Sequence, residues 1–332
     1  MTNGLPDILS STRLGRSINL LRRDADVARE EFVTSRVQDI TKATNGDVGS
    51  VHLLTKSLAD NQATQRNLTL AQNRTAFTQD VLSNLSSEAA RIGTEVIAAN
   101  GIDADFTLQT LSTDAAATLR TIFANLNANF SERAVFGGDR TDRPPLADPE
   151  TLLTDVRAIL TAGPDKATID AALDTYFNDP AGGFQTTIYQ GGENDAPAVE
   201  IAPGVRIDVS VRADAQPIKD LIRSFAVIAE RDNVNVPGDE ATEILSEAAS
   251  GALNADKDLV QVRASIGVNE QRIADSQGRF ETEETLLQNL LNDRTLRDQF
   301  EAANQLQLLE TQIEASYLIT SRLANLTLAN FL

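Results

Sequence analysis

The residue types that most often carry chemistry are almost missing from this sequence. It contains no cysteine and a single histidine, His52. A cysteine nucleophile, a thiolate zinc site, an iron–sulfur cluster and a disulfide framework are therefore excluded within it. One imidazole also excludes a two-histidine metal site. Because no serine–carboxylate motif accompanies His52, we interpret it as a half-exposed residue near the start of a helix rather than as a catalytic group.

The glycine pairs and the aspartates form no recognisable binding motif. The pairs Gly137-Gly138 and Gly191-Gly192 lack the strand-to-helix context of a dinucleotide site, and no phosphate-binding loop motif occurs, so turns are predicted at both. Asp139, Asp142 and Asp148 lack the spacing of a twelve-residue calcium loop. We therefore predict no metal and no cofactor. Carboxylate pairs leave an acidic hydrolase, acting in the middle of the chain, as a remote alternative.

The charge balance is strongly acidic. The 332 residues include 29 Lys and Arg against 48 Asp and Glu, a formal net charge of −19. Such a chain lacks the clustered cations that displace counterions from nucleic-acid phosphates, and it is repelled by anionic membrane surfaces. The start lacks the pattern of a cleaved secretory signal, and no run approaches the roughly 18 apolar residues of a membrane span. No nucleic-acid partner and no membrane insertion are predicted.

Long helices are predicted at both ends of the chain. Near the start, apolar residues alternate at spacings of four and three, which is an a/d seam for a partner helix. Asn45-Gly46-Asp47 predicts a turn, and residues 51–91, which lack glycine and proline, predict a long helix. A third helix is expected from a cap at Ser112 or Thr113 through Phe130. Pro237-Gly238 is expected to close a helix, and a last helix to run from about Asp256 to the end.

A glutamine- and asparagine-rich stretch interrupts the apolar pattern of the long helix. Its members are Asn61, Gln62, Gln65, Gln72 and Asn73. Their amides predict either a polar helix–helix interface or a solvent-exposed face, and the sequence favours neither.

The middle of the chain has a different character. From about residue 136 to 216, prolines and glycines recur, and two short helices are predicted around 151–160 and 166–177. Val199 and Ile201 precede Pro203-Gly204, after which valine and isoleucine alternate with polar residues to Val211. This pattern predicts a β-hairpin with one buried face. Helix then resumes, with Pro217 suited to a first turn.

These patterns predict a mainly α protein. Long antiparallel helices from both termini form coiled-coil or bundle domains, with a small α+β domain inserted between them. We expect three domains: 1–45 with 290–332 as paired terminal helices, 46–145 with 217–289 as a helical bundle, and 146–216 as a mixed domain with the β-hairpin.

Three stretches of the sequence are similar to the bacterial flagellin superfamily. Residues 134–146 resemble its Phe-Gly-Gly turn followed by two prolines, where the helical part meets a variable insert. Residues 206–214, with the helix at Pro217, resemble the return segment. Residues 312–332, with Ala-Ser-Tyr before an ending of leucines and an aromatic residue, resemble the branch of the superfamily that joins hook to filament. The commonest start of the family is not present.

The resemblance implies a structural role without catalysis. It implies paired terminal helices that self-associate in a flagellar tube outside the cell, reached by type III export without a cleaved signal. It also implies contact with flagellin, with a hook-associated protein similar to FlgK, and with an export chaperone similar to FlgN. Filament flagellin itself remains the alternative. The residues expected at the assembly interface are Leu14, Ile18, Leu21, Phe32, Leu306, Leu309, Ile313, Tyr317, Leu323, Leu326, Leu328 and Phe331. Those expected at the domain-junction turn are Phe136, Gly137, Gly138, Pro144 and Pro145.

Overall fold

A computed structural model describes the backbone of residues 4–100 and 105–329 and the side chains of residues 12–99 and 106–322. The chain forms two compact units, Met1–Ala63 with Glu281–Leu332, and Thr64–Phe280. Among the helices of the described residues, none is long and apolar enough to cross a membrane. The prediction of a mainly α protein with helices from both termini that pack together is confirmed. The three-domain division stays a prediction.

The first unit is built from helices at both ends of the chain. Its elements are α1 (Gly4–Thr34), the short α2 (Ile40–Ala43), residues 48–63 of α3 (Val48–Asn100), residues 281–295 of α8 (Gly238–Thr295), and α9 (Gln299–Ala329). Helix α1 packs along α9. The predicted turn at residues 45–47 is confirmed, and Asn45 and Gly46 adopt positive φ angles there.

The second unit has the larger hydrophobic core. Residues 64–100 of α3 and 238–280 of α8 belong to it, together with α4 (Asp105–Leu126), α5 (Pro149–Ala162), α6 (Lys166–Asn178) and α7 (Gln216–Ala229). Two short helical turns, Phe184–Ile188 and Arg231–Asn233, lie between helices. Pro217 stands in the first turn of α7, whose apolar side is fully buried against α4. The core is assembled from Leu82, Ile92, Leu119, Phe123, Phe177, Phe225 and Leu259, with their neighbours.

Two antiparallel hairpins belong to the second unit. The predicted one is confirmed: β3 (Val199–Ala202) pairs with β4 (Val205–Ile207) across Pro203-Gly204. Gly204 has a φ of +76°, a left-handed conformation that glycine adopts without a steric penalty. The buried face of the hairpin, Ile201 and Ile207, packs on Leu68, Ala71 and Ile273. A shorter hairpin joins β1 (Asn129–Phe130) to β2 (Arg133–Ala134).

Three predicted boundaries were wrong. Helix α4 begins at Asp105, so Ser112 lies inside it, where its hydroxyl donates to the carbonyl of Ala229 at 2.8 Å instead of capping a helix. The same helix ends at Leu126, and Phe130 lies in β1. Pro237-Gly238 lies at the start of α8 rather than at the end of a helix. Proline suits this position because it has no backbone amide to donate inside a helix.

Part of the amide-rich stretch of α3 lies at a polar helix–helix contact, and the other part is exposed to solvent. Gln62 donates to the Glu284 carboxylate at 2.8 Å, within the first unit. Gln65 donates to the Phe280 carbonyl at 3.2 Å, within the second. Gln72 and Asn73 are exposed. The first half of the stretch is therefore a polar helix–helix contact, and the second half faces solvent.

Candidate assembly surface

Helices α1 and α9 bury one narrow apolar seam between them. Ala25, Ala28 and Leu309 form its buried centre, and Leu21, Leu306 and Ile313 pack around them half-buried. The small side chains of Ala25 and Ala28 let the helix backbones approach closely while the leucines of α9 fill the space. One seam between two helices of the same chain thus takes up part of the predicted apolar stripes.

The residues predicted at the assembly interface divide into three groups. Ile18, Leu309 and their half-buried neighbours Leu14, Leu21, Leu306 and Ile313 belong to the helix pair. Phe32 and Tyr317 are each 41% exposed. Leu323, Leu326 and Leu328 lie in the helix α9, but their side chains fall outside the described residues, as does Phe331 altogether. Their contact with other copies stays a prediction.

Helix α9 carries a second apolar face that no described residue of the first unit covers. Phe300 is 79% exposed, and Leu308, Leu318 and Ile319 are each more than half exposed. With 3.6 residues per turn, Phe300 and Leu318 are about five turns apart on one side, and Leu309 lies about two and a half turns from each, on the opposite side. We call Phe300, Leu308, Leu318 and Ile319 the outer face. Such a face requires a further partner to leave water.

One continuous C-terminal helix was predicted from about Asp256 to the end, and this prediction was wrong. The chain instead leaves the helical path at residues 296–298, between α8 and α9. The Asp298 carboxylate accepts the amides of Phe300 and Glu301 at 2.8 and 3.1 Å and caps α9. The signal was present in the sequence, since Asp298 followed three residues later by Glu301 has the form of a helix start. The break changes which apolar residues share a side.

Polar contacts at the edges of the seam orient the two helices. The Arg22 guanidinium carbon lies 5.4 Å from the centre of the Tyr317 ring, a cation–π distance. Arg29 lies 3.6 Å from the Glu310 carboxylate. Exposed ion pairs of this kind contribute little to stability, so the apolar seam is the main stabilising element of the pair.

At the predicted junction turn, backbone hydrogen bonds join three segments of the second unit. Phe136 is buried, and its carbonyl accepts the Ala213 amide at 2.9 Å. The Gly137 carbonyl accepts the Gly192 amide at 2.8 Å, and a Cβ at Gly137 would collide with the Arg140 carbonyl oxygen.

The rest of the turn follows the same pattern. Gly138 has a φ of +63°, which favours glycine. Pro145 is buried, and its carbonyl accepts the Gln190 amide at 2.8 Å, whereas Pro144 is exposed. The two glycine pairs, separate in the sequence, meet here. These contacts explain why both glycine pairs lie in turns. The role of this region as a domain junction stays a prediction.

The second unit also contains a groove of about 330 Å³ between α6, α7 and α8. Leu173, Val227 and Ile244 line it together with acidic residues of all three helices, Asp170, Asp220, Glu247 and Asp258. Burial raises the pKa of Asp220 above its ordinary value of 3.8, although the hydrogen bond from Gln216 and the charges of Arg223 and Lys219 act in the opposite direction. Of the residues that line the groove, only Asp170 and Leu173 belong to the middle of the chain, where the acidic hydrolase of the remote alternative would have its active site. His52 is exposed on α3, and the described residues contain no cluster suited to a metal ion.

The fold has counterparts among solved structures. No protein-family model and no curated protein matches this sequence. A Vibrio parahaemolyticus chain described as a flagellar hook-associated protein is 13% identical with a TM-score of 0.51, and the match covers 74% of this chain and 95% of that one. FlgL from Bacillus cereus is 16% identical with a TM-score of 0.45, over 74% of this chain and 98% of that one. The first of these likenesses shows that the chain has the fold of that hook-associated chain.

Proposed function

We propose that this chain is a structural subunit of the bacterial flagellum, similar to FlgL, that helps to join the hook to the filament. The observation that carries the proposal is the second apolar face of α9. The helix pair buries Leu309 and leaves Phe300 and Leu318 in water, an arrangement that side-by-side copies would bury.

The proposal is also supported by the fold and by the sequence. The fold is shared with a chain described as a flagellar hook-associated protein. The Phe-Gly-Gly turn and the Ala-Ser-Tyr ending resemble the flagellin superfamily at matching places in the chain. We propose self-association through the terminal helices, and contacts with a hook-associated protein similar to FlgK, with flagellin and with a chaperone similar to FlgN, at an extracellular site.

Immunogold labelling of intact flagella of the source bacterium tests this proposal. An antibody against residues 146–216 is expected to label the boundary between hook and filament. Label along the whole filament would instead support filament flagellin, and abundance in sheared filaments would agree with it. Absence of label from flagella, in cells that demonstrably produce the chain, would overturn both structural roles.

A further inference from the structure

The turn between α2 and α3 contains the dipeptide Asn45-Gly46. Both residues have positive φ angles, +52° at Asn45 and +92° at Gly46. The Gly46 amide donates to the Thr41 carbonyl at 2.8 Å, and the Asn45 amide donates to the Lys42 carbonyl at 3.4 Å. This is the hydrogen-bond pattern of a Schellman motif, in which glycine and asparagine are the residues that best tolerate a left-handed backbone. The turn therefore explains why these two residue types occur here.

The same dipeptide is the one in which asparagine deamidates most readily. Glycine has no side chain to hinder attack by its backbone nitrogen on the Cγ of the preceding asparagine. In this reaction a bond forms between the Gly46 nitrogen and the Asn45 Cγ, the bond from Cγ to Nδ2 breaks, and ammonia leaves with the proton of the Gly46 amide. Water then opens the cyclic imide on either side, which gives aspartate or isoaspartate. Both residues are exposed, so water and hydroxide reach them.

We propose that Asn45 is a modification site that the fold controls: the intact turn blocks its conversion to isoaspartate, and opening of α2 permits it. While the Gly46 N–H is bonded to the Thr41 carbonyl, the nitrogen can neither lose its proton nor turn toward the Asn45 Cγ. Helix α2 has only four residues, and none of them is buried. So short and exposed a helix opens at a lower free-energy cost than the packed helices around it. The inference does not depend on the proposed function.

The turn also positions Asp47, the residue that follows it. The Asp47 carboxylate accepts the Ser50 amide at 3.3 Å and lies 3.2 Å from the Arg294 guanidinium of α8, within the first unit. Isoaspartate at position 45 adds a methylene to the main chain and a negative charge beside it, so the two hydrogen bonds of the turn no longer fit. Modification is therefore expected to release α2 and to loosen the contact between Asp47 and Arg294.

Peptide mapping by mass spectrometry tests the control by the fold. The full chain is kept in mildly alkaline buffer, folded or unfolded in urea, and the loss of each asparagine is followed with time. Asn3-Gly4 and Asn100-Gly101 contain the same dipeptide and are internal references. In urea the three sites are expected to react at similar rates, because only the local sequence then matters. In the folded chain Asn45 is expected to react about tenfold or more slowly than in urea, because the turn must open first.

A variant that weakens α2 without changing the dipeptide tests the mechanism. Asp39→Ala removes the side-chain acceptor of the Lys42 amide at the start of α2, a 3.0 Å bond, and is expected to speed the loss of Asn45 in the folded chain about fivefold. Asp39→Asn keeps a capping oxygen and is the matched control. Hydrogen exchange at the Gly46 amide should speed up in parallel, since both processes need the same bond to open. In urea both variants should react as the wild type does.

Two results would overturn the proposal. The first is a folded wild-type chain that loses Asn45 as fast as the unfolded chain, which would show that the turn gives no protection. The second is an equal rate of Asn45 loss in folded D39A and D39N, which would show that α2 does not control the reaction.

Discussion

The backbone amide of Val37 donates a 3.0 Å hydrogen bond to the carbonyl oxygen of Thr295. The amide of Arg297 returns a 3.0 Å bond to the carbonyl of Ser35, and Arg36 and Leu296 form an antiparallel bridge. The non-helical segments after α1 and before α9 are therefore paired with each other within the first unit. This pairing supplies hydrogen-bond partners to backbone groups that have none at the helix ends. It also holds the end of α1 next to the start of α9, and so sets where along their lengths the two helices begin to pack.

The cap at Asp298 should be measurable on its own. Asp298→Ala removes the acceptor for two backbone amides at the start of α9 and is expected to cost about 1 kcal/mol of local helix stability. Hydrogen exchange at the amides of Phe300 and Glu301 measures the change. Asp298→Asn keeps a capping oxygen and is the control. Equal loss of protection in both variants would show that the cap is not the cause.

Replacing each of two neighbouring leucines of α9 by aspartate should affect different properties, the helix pair of the monomer in one case and self-association in the other. Leu309→Asp places a charge in the buried seam and is expected to separate α1 from α9 in the monomer, with a loss of helicity by circular dichroism. Leu308→Asp changes the outer face, so the monomer should keep its helicity while self-association by sedimentation is lost. An L308D chain that still associates normally would remove the outer face from the interface.

Adding one methyl group at two glycines of the second unit should change its stability in opposite directions. Gly137→Ala is expected to lower the free energy of unfolding by about 1–3 kcal/mol, because the new Cβ collides with the Arg140 carbonyl. Gly267→Ala, on α8 with only Gln79 at 3.9 Å, is expected to raise it by up to about 1 kcal/mol through helix propensity. Urea unfolding followed by circular dichroism gives both values. An unchanged G137A variant would mean that the turn relaxes easily.

Asp220 should make the second unit less stable as the pH rises. The pKa of Asp220 is higher in the folded chain than its ordinary value of 3.8, with burial as the largest cause. The folded state therefore holds its proton more tightly, and the penalty of ionisation grows as pH rises through the folded pKa. Asp220→Asn is expected to melt at a higher temperature than the wild type at pH 7, and at a similar temperature below pH 3.8. Thermal unfolding of dilute monomer across this range measures the difference, and a gap independent of pH would contradict it.

The sequence by itself determined the local elements and excluded much chemistry. Apolar spacing located the long helices and the helix at Pro217, and the Pro203-Gly204 turn located the β-hairpin, because each signal lies within a few residues. The absence of cysteine and the single histidine excluded thiol chemistry and sites built from two histidines.

Only the tertiary structure decided which surfaces these elements share. Periodicity could not show that Ala25 of α1 packs beside Leu309 of α9. It could not show that Phe300 faces outward after the break in the helix at Asp298. Nor could it show that Ser112 contacts the end of α7. Nor could it bring Asp220 and Asp258 to one groove. The physical reason is that a side-chain pattern specifies the geometry of its own helix, whereas its partner is selected by packing between residues far apart in the chain.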